Sequence, residues 1–295
     1  MASLFQFLSC LPLWLLHRIG WMLGWAAFLV SPGYRRNVRD NAALADLSGA
    51  DWRAAVGEAG KLVMELPRLW LGAPVPVRWD GAEHIDAALK SGRGLLFLTP
   101  HLGCFEITAQ AYAKRYGVAH NKPMTVLFRP PRKGWLAALV VQSRARGGLN
   151  TAPTTLAGVK QLIKALKAAE CVGLLPDQVP HLHQGIWTPF FGRPAYTMTL
   201  SVRLARQTGA TVLLAWGERL ADGAGYTIHV RPMPQTLDSD VQVATKQINQ
   251  AMEVLICERP SQYLWGYNRY KAPKDDTSGA PPPGASNNNQ EGLPR

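Results

Sequence analysis

Cysteine and acidic side chains are scarce in this 295-residue chain. The four cysteines, Cys10, Cys104, Cys171 and Cys257, lie far apart and form no CxxC pair, which argues against a disulfide framework and against a cysteine zinc site. Only 20 Asp and Glu residues oppose 32 Lys and Arg residues, so the formal net charge is +12. We therefore expect a reducing compartment and an acidic partner, which could be nucleic acid, an anionic membrane or an acidic protein.

The N-terminus lacks the features of a signal peptide, although residues 4–30 are almost wholly apolar. No basic residue precedes this run, and no small-x-small cleavage site follows it. As one helix the run would be roughly 40 Å long, enough to cross a bilayer with tilt. Pro12 predicts a kink, and His17 and Arg18 fall near the middle, where a charge costs on the order of 3 kcal/mol. A spanning helix, a helix embedded in one leaflet with Arg18 snorkelling, and a buried core helix are the open alternatives.

The two ends of the chain differ in composition from its body. Arg35, Arg36 and Arg39 follow the apolar run, so the positive-inside rule predicts that the body faces the cytoplasm; a solvated basic turn is the alternative. Residues 273–295 contain almost no large apolar side chain and are expected to be a disordered tail. The predicted organisation is a membrane segment at 1–32, a folded domain at 33–272 that carries the basic excess, and a tail at 273–295.

Short apolar runs alternate with stretches of helical periodicity along the body. Buried strands are predicted at 95–98, 125–128, 172–175 and 211–215, with a further strand at 226–230. Helices are predicted at 51–70, 83–91, 103–116, 134–146, 156–169, 197–208 and 240–258. This alternation predicts an α/β fold with a single open, mostly parallel or mixed sheet flanked by helices. In such sheets the chemistry lies beyond the carboxyl ends of the strands.

A histidine and a glutamate follow the strand predicted at 95–98. His101 falls in the turn before a helix, and Glu106 falls in the first turn of that helix. The positive end of the helix dipole disfavours imidazolium, so His101 can accept a proton, and a nearby carboxylate can fix its tautomer. Cys104 is an alternative nucleophile, although its apolar neighbours favour an inert buried thiol. A surface histidine beside an unrelated helix-start glutamate is the other interpretation of this spacing.

Polar residues also follow the other predicted strands. Arg129 comes after the strand at 125–128, where a guanidinium could bind a phosphate or a developing oxyanion, and Arg144 lies near the end of the next helix. Asp177 and Gln178 come after the strand at 172–175. Each group alone could be a solvated polar run. Their joint position beyond the strands favours a cleft.

In this order the residues resemble the bacterial lipid A biosynthesis acyltransferases, the lauroyl/myristoyl late acyltransferase family. The resemblance spans about residues 5–272 and rests on the following motifs: His101-x4-Glu106, Phe128-Arg129-Pro130, Pro176-Asp177-Gln178, residues 189–197 (PFFGRPAYT) and residues 260–265 (PSQYLW). It implies transfer of a fatty acyl group from acyl-carrier protein to a hydroxyl of a lipid A precursor of the Kdo-lipid IV-A type. The implied location is the cytoplasmic face of the bacterial inner membrane.

The resemblance also implies roles for individual residues. His101 would be the general base, and Glu106 would orient it and stabilise the imidazolium. Arg129, Arg144, Asp177 and Gln178 would bind substrate. No cofactor and no metal is implied, since His181 and His183 are spaced as His-x-His without a third plausible ligand.

Other functions stay open on the sequence alone. The acceptor could be another lipid, such as an ornithine lipid or a lysophospholipid, or the chain could be an inactive membrane-associated binding protein of the same fold. A nucleic-acid partner is not expected, because no stacking aromatics are interleaved with the basic residues and no binding motif is present.

Overall fold

The computed structural model describes residues 2–128 and 147–274. The helix predicted at 134–146, the residues Arg129 and Arg144, and positions 275–295 of the predicted tail lie outside the described residues.

A seven-stranded sheet lies at the centre of the fold, in the order β1-β9-β8-β2-β5-β3-β4. Strands β8 and β9 are antiparallel, whereas the other neighbouring pairs are parallel. The mixed, mostly parallel sheet confirms the predicted fold class. Strands β6 and β7 form a separate antiparallel hairpin. The strands are β1 Val77–Asp80, β2 Leu95–Leu98, β3 Met124–Phe128, β4 Leu149–Pro153, β5 Cys171–Leu174, β6 Gly185–Phe190, β7 Arg193–Met198, β8 Thr211–Arg219 and β9 Tyr226–Pro232.

Helices cover both faces of the sheet. Alternate residues of β2 belong to different cores: Leu96 and Leu98 lie in one hydrophobic cluster, and Leu95 and Phe97 lie in the other. This explains why β2 is an unbroken apolar run, since both of its faces are buried. The described helices are α1 Ala2–Cys10, α2 Leu13–Val30, α3 Pro32–Leu44, α4 Gly49–Met64, α5 Leu66–Leu71, α6 Ala82–Lys90, α7 Phe105–Tyr112, α8 Leu156–Lys167, α9 Leu200–Thr208 and α10 Val241–Glu258.

Two long helices predicted from the sequence are interrupted. The apolar run at 4–30 forms α1 and α2, which are separated at Leu11 and Pro12, so its longer helix has 18 residues. The helix predicted at 51–70 forms α4 and α5, which meet at Glu65, two residues before Pro67. Proline explains both breaks, because it lacks the backbone N–H that would continue the hydrogen bonds of the preceding helix.

One face of α2 packs along α4. Gly20 and Gly24 of α2 meet Gly60 of α4 so closely that a Cβ on any of the three would overlap backbone atoms of the facing helix. The outward face of α2 is apolar and exposed, and includes Trp21 and Met22. By length and hydropathy α2 is suited to cross a membrane, with a third of its residues buried in the protein. A fully buried core helix, one of the three alternatives, does not fit this exposure.

Candidate active site

The parallel register of β2 and β5 brings His101 and Asp177 together. Leu98 pairs with Leu174 at the ends of these strands, and the two functional residues each follow three positions later. The backbone N–H of Thr99 donates to the Leu174 carbonyl, which extends the ladder past the strand ends. The two chains therefore leave the sheet side by side, at its carboxyl edge, where the sequence predicts the site.

Asp177 fixes the orientation and the tautomer of His101. Its Oδ1 lies 2.7 Å from Nδ1 of the imidazole, and its Oδ2 accepts from the His101 backbone N–H at 2.9 Å. Burial alone would raise the pKa of Asp177, but the charge and the hydrogen bonds of His101 outweigh burial and lower that pKa. An ionised carboxylate only accepts hydrogen bonds, so Nδ1 carries a proton, and the lone pair of the ring in its neutral form lies at Nε2.

A C-terminal segment, residues 260–270, holds this pair from one side. The Tyr263 hydroxyl donates to Asp177 Oδ2 at 3.1 Å, and the Leu264 backbone N–H donates to the His101 carbonyl. Asn41 of α3 in turn donates from its side-chain amide to the carbonyls of Trp265 and Tyr267. Helix α3 is thus connected to His101 and Asp177 through this segment.

The loop after His101 is hydrogen-bonded to the neighbouring strand β8. Gly103 has φ +58°, and a Cβ there would overlap the carbonyl oxygen of Gly217. The Cys104 N–H donates to that same carbonyl, and the Gly103 N–H donates to the carbonyl of Gln262. Glycine at position 103 therefore allows a close backbone approach that fixes where α7 begins.

Glu106 lies in the first turn of α7, and its described hydrogen bond is to Trp70 rather than to His101. Its Oε1 accepts a hydrogen bond from the indole N–H of Trp70 at 3.0 Å, and the side chain is buried. Within residues 2–128 and 147–274, the carboxylate that bonds to the His101 imidazole is that of Asp177. The register of β2 and β5 explains the difference, since it aims Asp177 at His101, whereas α7 directs Glu106 towards α5.

Gln178 contacts the other nitrogen of the imidazole. Its side-chain Nε2 lies 3.0 Å from Nε2 of His101. Asp177 and Gln178, both predicted as site residues, thus contact the two ring nitrogens of His101. The Phe105 ring packs edge-on against the imidazole, with ring centroids 5.0 Å apart.

A buried charged cluster contacts the loop that follows His101. Arg219 of β8 donates to both carboxylate oxygens of Glu65, to Glu58 and to the Gly103 carbonyl. His17 of α2 lies 3.2 Å from Glu65 and completes the cluster. Burial alone would raise the pKa of Glu65, but the charge and hydrogen bonds of Arg219, with a smaller contribution from His17, lower it to about 2. The polar residue His17 in the apolar run is therefore matched by an internal carboxylate.

Cys104 is poorly suited to act as a nucleophile. It is fully buried, and burial together with the charge of Glu65 raises the pKa of its thiol well above the usual value. Nucleophilic attack requires the thiolate. The interpretation of Cys104 as an inert buried thiol fits this environment.

A cavity of about 740 Å³ runs along α7. Its walls include Ile107, Ala111 and Trp79, and the cations Arg68 and Lys114 also line it. Ile107, one of the lining residues, directly follows Glu106 in the chain.

The remaining predicted residues divide into two groups. Arg129 and Arg144 lie outside the described residues, so their substrate-binding roles stay predictions. His181 and His183 lie in the loop before β6, and among the described residues no group of three His, Cys, Asp or Glu side chains is placed to hold a metal ion. Sequence reasoning missed Tyr263 as a contact of Asp177 because the two positions are 86 residues apart, although the 260–265 motif marks its segment.

Comparison with known proteins identifies the family. The family model described as bacterial lipid A biosynthesis acyltransferase matches residues 2–272. A lipid A biosynthesis acyltransferase of Haemophilus influenzae is 25% identical over 93% of this chain and 90% of its own length. The lipid A biosynthesis lauroyltransferase and palmitoleoyltransferase of Escherichia coli are 30% and 27% identical, over 66% and 72% of this chain and 62% and 68% of their own lengths.

The match over nearly the whole chain agrees with the mixed sheet and with the histidine at its carboxyl edge. Acyl transfer in lipid A biosynthesis follows from the family, as does a lipid acceptor. The chain therefore belongs to the bacterial lipid A biosynthesis acyltransferases, a membrane-associated family, and is an acyltransferase enzyme.

Proposed function

We propose that the enzyme moves a fatty acyl chain from acyl-carrier protein to a hydroxyl of a lipid A precursor of the Kdo-lipid IV-A type. The observation that carries this proposal is the 2.7 Å contact between His101 Nδ1 and Asp177, which leaves a basic lone pair at Nε2. A base of this kind activates a hydroxyl directly. The acyl group then passes from donor to acceptor without an acyl-enzyme.

In the proposed reaction, Nε2 of His101 removes the proton from the acceptor hydroxyl as its oxygen attacks the thioester carbonyl. The tetrahedral intermediate collapses, the carbon–sulfur bond breaks, and the leaving thiol takes the proton from the imidazolium. Asp177 stabilises the imidazolium, and Arg129 stabilises the oxyanion. Glu106 is the second proposed catalytic residue. Its carboxylate would stabilise the imidazolium through space, without a hydrogen bond to the ring.

A cavity and the net charge of the chain support the proposed substrates. The cavity along α7 is lined mainly by apolar side chains, and we assign the acyl chain to it. The net charge of +12 suits a phosphorylated lipid, an anionic bilayer and an acidic carrier protein. We place the enzyme at the cytoplasmic face of the bacterial inner membrane, where Arg35, Arg36 and Arg39, which directly follow the apolar helix α2, can bind the anionic headgroups of that leaflet.

The test compares wild-type enzyme with His101→Ala in detergent, using lauroyl-acyl-carrier protein and the Kdo-bearing tetra-acyl precursor. We expect the product to gain one acyl chain by mass, and the variant to lose activity by on the order of 10² to 10⁴. The matched control is His84→Ala on α6, away from the site, which should leave the rate unchanged.

Three results would contradict the proposal. Wild-type activity in His101→Ala would contradict the proposed role of His101 as the base. Acylation of ornithine lipid or lysophospholipid by an enzyme that ignores the lipid A precursor would change the acceptor. Transfer from acyl-CoA but not from acyl-carrier protein would change the donor.

A further inference from the structure

With the imidazole of His101 neutral, its contact with Gln178 has one chemically consistent orientation. Because Nδ1–H donates to Asp177, Nε2 of the neutral ring offers a lone pair and no hydrogen. The Gln178 group 3.0 Å away must therefore be its NH₂, which donates, rather than its oxygen. The amide of Gln178 occupies the lone pair on which the proposed mechanism depends.

The resting contact and the catalytic contact exclude each other. A single ring lone pair cannot accept a good hydrogen bond from Gln178 and the proton of an acceptor hydroxyl at the same time. We propose, on the basis of the function proposed above, that Gln178 is a displaceable cap on the base: it occupies Nε2 of His101 until the acceptor hydroxyl takes its place.

The surroundings of Gln178 allow its side chain to leave while its backbone stays. Asp177, on one side, is held by His101 and Tyr263, and the Val179 backbone N–H, on the other side, donates to the Tyr267 hydroxyl. By contrast, the hydrogen bond described for the Gln178 amide is the one to His101. The side chain is only partly buried, so rotation about its own bonds frees Nε2 without moving the loop.

The cap suppresses a competing reaction. With Nε2 free and an acyl thioester bound, water can replace the acceptor: its oxygen bonds to the thioester carbonyl, and its proton goes to Nε2. The carbon–sulfur bond then breaks, the thiol leaves with that proton, and a carboxylic acid is released. A hydrogen bond from Gln178 keeps the base occupied until the lipid arrives, and so limits this loss of acyl donor.

The experiment measures thiol release from lauroyl-acyl-carrier protein by the full chain in detergent, without acceptor and with the Kdo-bearing tetra-acyl precursor. In Gln178→Ala we expect the ratio of hydrolysis to transfer to rise at least fivefold. In Gln178→Glu, a carboxylate beside Nε2 stabilises the imidazolium, so hydrolysis and transfer should both fall at least 100-fold. Gln184→Ala, the same change on an exposed side chain six positions later, is the matched control and should keep the wild-type ratio.

A second measurement does not depend on activity. In the protein labelled with ¹⁵N-histidine, Gln178→Ala should shift the His101 Nε2 resonance, because the lone pair loses its donor, whereas Gln184→Ala should not shift it. If the wild-type enzyme cleaves no thioester but Gln178→Ala shifts the Nε2 resonance, the hydrogen bond from Gln178 is supported and the proposed function is contradicted.

Several outcomes would overturn the cap. An unchanged Nε2 resonance in Gln178→Ala would show that the contact is absent in solution. A tenfold higher KM for the lipid acceptor, with an unchanged hydrolysis ratio, would make Gln178 a substrate-binding residue only. Wild-type rates in Gln178→Glu would also contradict the proposal, because a capped base should not tolerate a carboxylate.

Discussion

One carboxylate, that of Asp177, determines whether His101 can act as a base. It accepts from the imidazole and from the backbone N–H of the same histidine, and Tyr263 donates to it as well. Three donors around a buried carboxylate favour its ionised form. The tautomer of His101 therefore depends on Asp177 more directly than on Glu106, which bonds to Trp70.

The two carboxylates can be separated by amide substitution. Asp177→Asn should lower kcat by on the order of 10² to 10⁴, because an amide no longer stabilises the imidazolium and can present the wrong hydrogen-bonding group to Nδ1. Glu106→Gln should cause a smaller loss, since it leaves the imidazole contact intact. Steady-state kinetics of both variants, with unfolding midpoints as a control for folding, measure the difference. A larger loss for Glu106→Gln would return the orienting role to Glu106.

Three residues that the sequence expects at one site, His101, Asp177 and Gln178, lie in contact, but the contact between His101 and Asp177 was not predicted. His101, Asp177 and Gln178 could be placed beyond strand ends because apolar runs and the polar residues after them are local signals. The partner of His101 depends on strand order, because β2 lies beside β5 rather than beside the next strand in the chain. Strand pairing between distant segments has no local sequence signal. For this reason Glu106, five residues after His101, was predicted as the carboxylate partner of His101.

Helix α2 depends on glycine for its contact with α4. Gly20 and Gly24 face Gly60 across an interface that leaves no room for a Cβ. Close backbone approach through small residues is common where helices pack without large side chains. The apolar N-terminal segment is thereby attached along its length to the soluble part of the chain.

Widening this interface should detach α2. We expect Gly60→Leu to lower stability by several kcal/mol, because the added side chain overlaps Gly20 and Gly24 and separates the helices. Limited proteolysis between α2 and α4, together with thermal unfolding in detergent, would report the change. Gly33→Ala in α3, where nothing lies within 4 Å of an added Cβ, is the matched control. Equal protease resistance in the two variants would contradict the assigned packing.

The elements that were predicted are those with strong local periodicity. The central strands β2, β3, β5 and β8 coincide with apolar runs, each starting within one residue of its predicted start. Strands β1, β4, β6 and β7 were missed. They are partly exposed, and β4, β6 and β7 contain proline, so neither an apolar run nor clear alternation marks them. Their pairing comes from tertiary contacts.

We propose that α2 is embedded in one leaflet and does not span the membrane. If α2 crossed the bilayer, α4 would have to enter with it, and α4 carries Arg53, Glu58 and Lys61. Burying such charges in hydrocarbon is costly. We infer that the exposed apolar face of α2 lies in the membrane surface while its glycine face stays on the protein.

Neutralising the basic residues after α2 tests this placement. The triple variant Arg35→Gln, Arg36→Gln and Arg39→Gln should bind vesicles containing anionic lipid at least tenfold more weakly, since each surface cation contributes about 1 kcal/mol. Its kcat in detergent should change less than its binding. Co-sedimentation measures partitioning, and the exposed residues Lys160, Arg203 and Arg206, replaced together by Gln, are the charge-matched control. Unchanged partitioning of the first variant would contradict the assignment.

Contacts that run from Asn41 through residues 264–267 to His101 join α3 and the C-terminal segment at the loop that carries His101. His17 and Glu65 make a second connection, through Arg219, to the Gly103 carbonyl. The composition boundary near residue 32 is crossed by the hydrogen bond between His17, which lies before it, and Glu65, which lies after it. We expect the N-terminal helices and the active site to lose structure in one cooperative transition, so that release from the membrane surface and inactivation are thermodynamically linked.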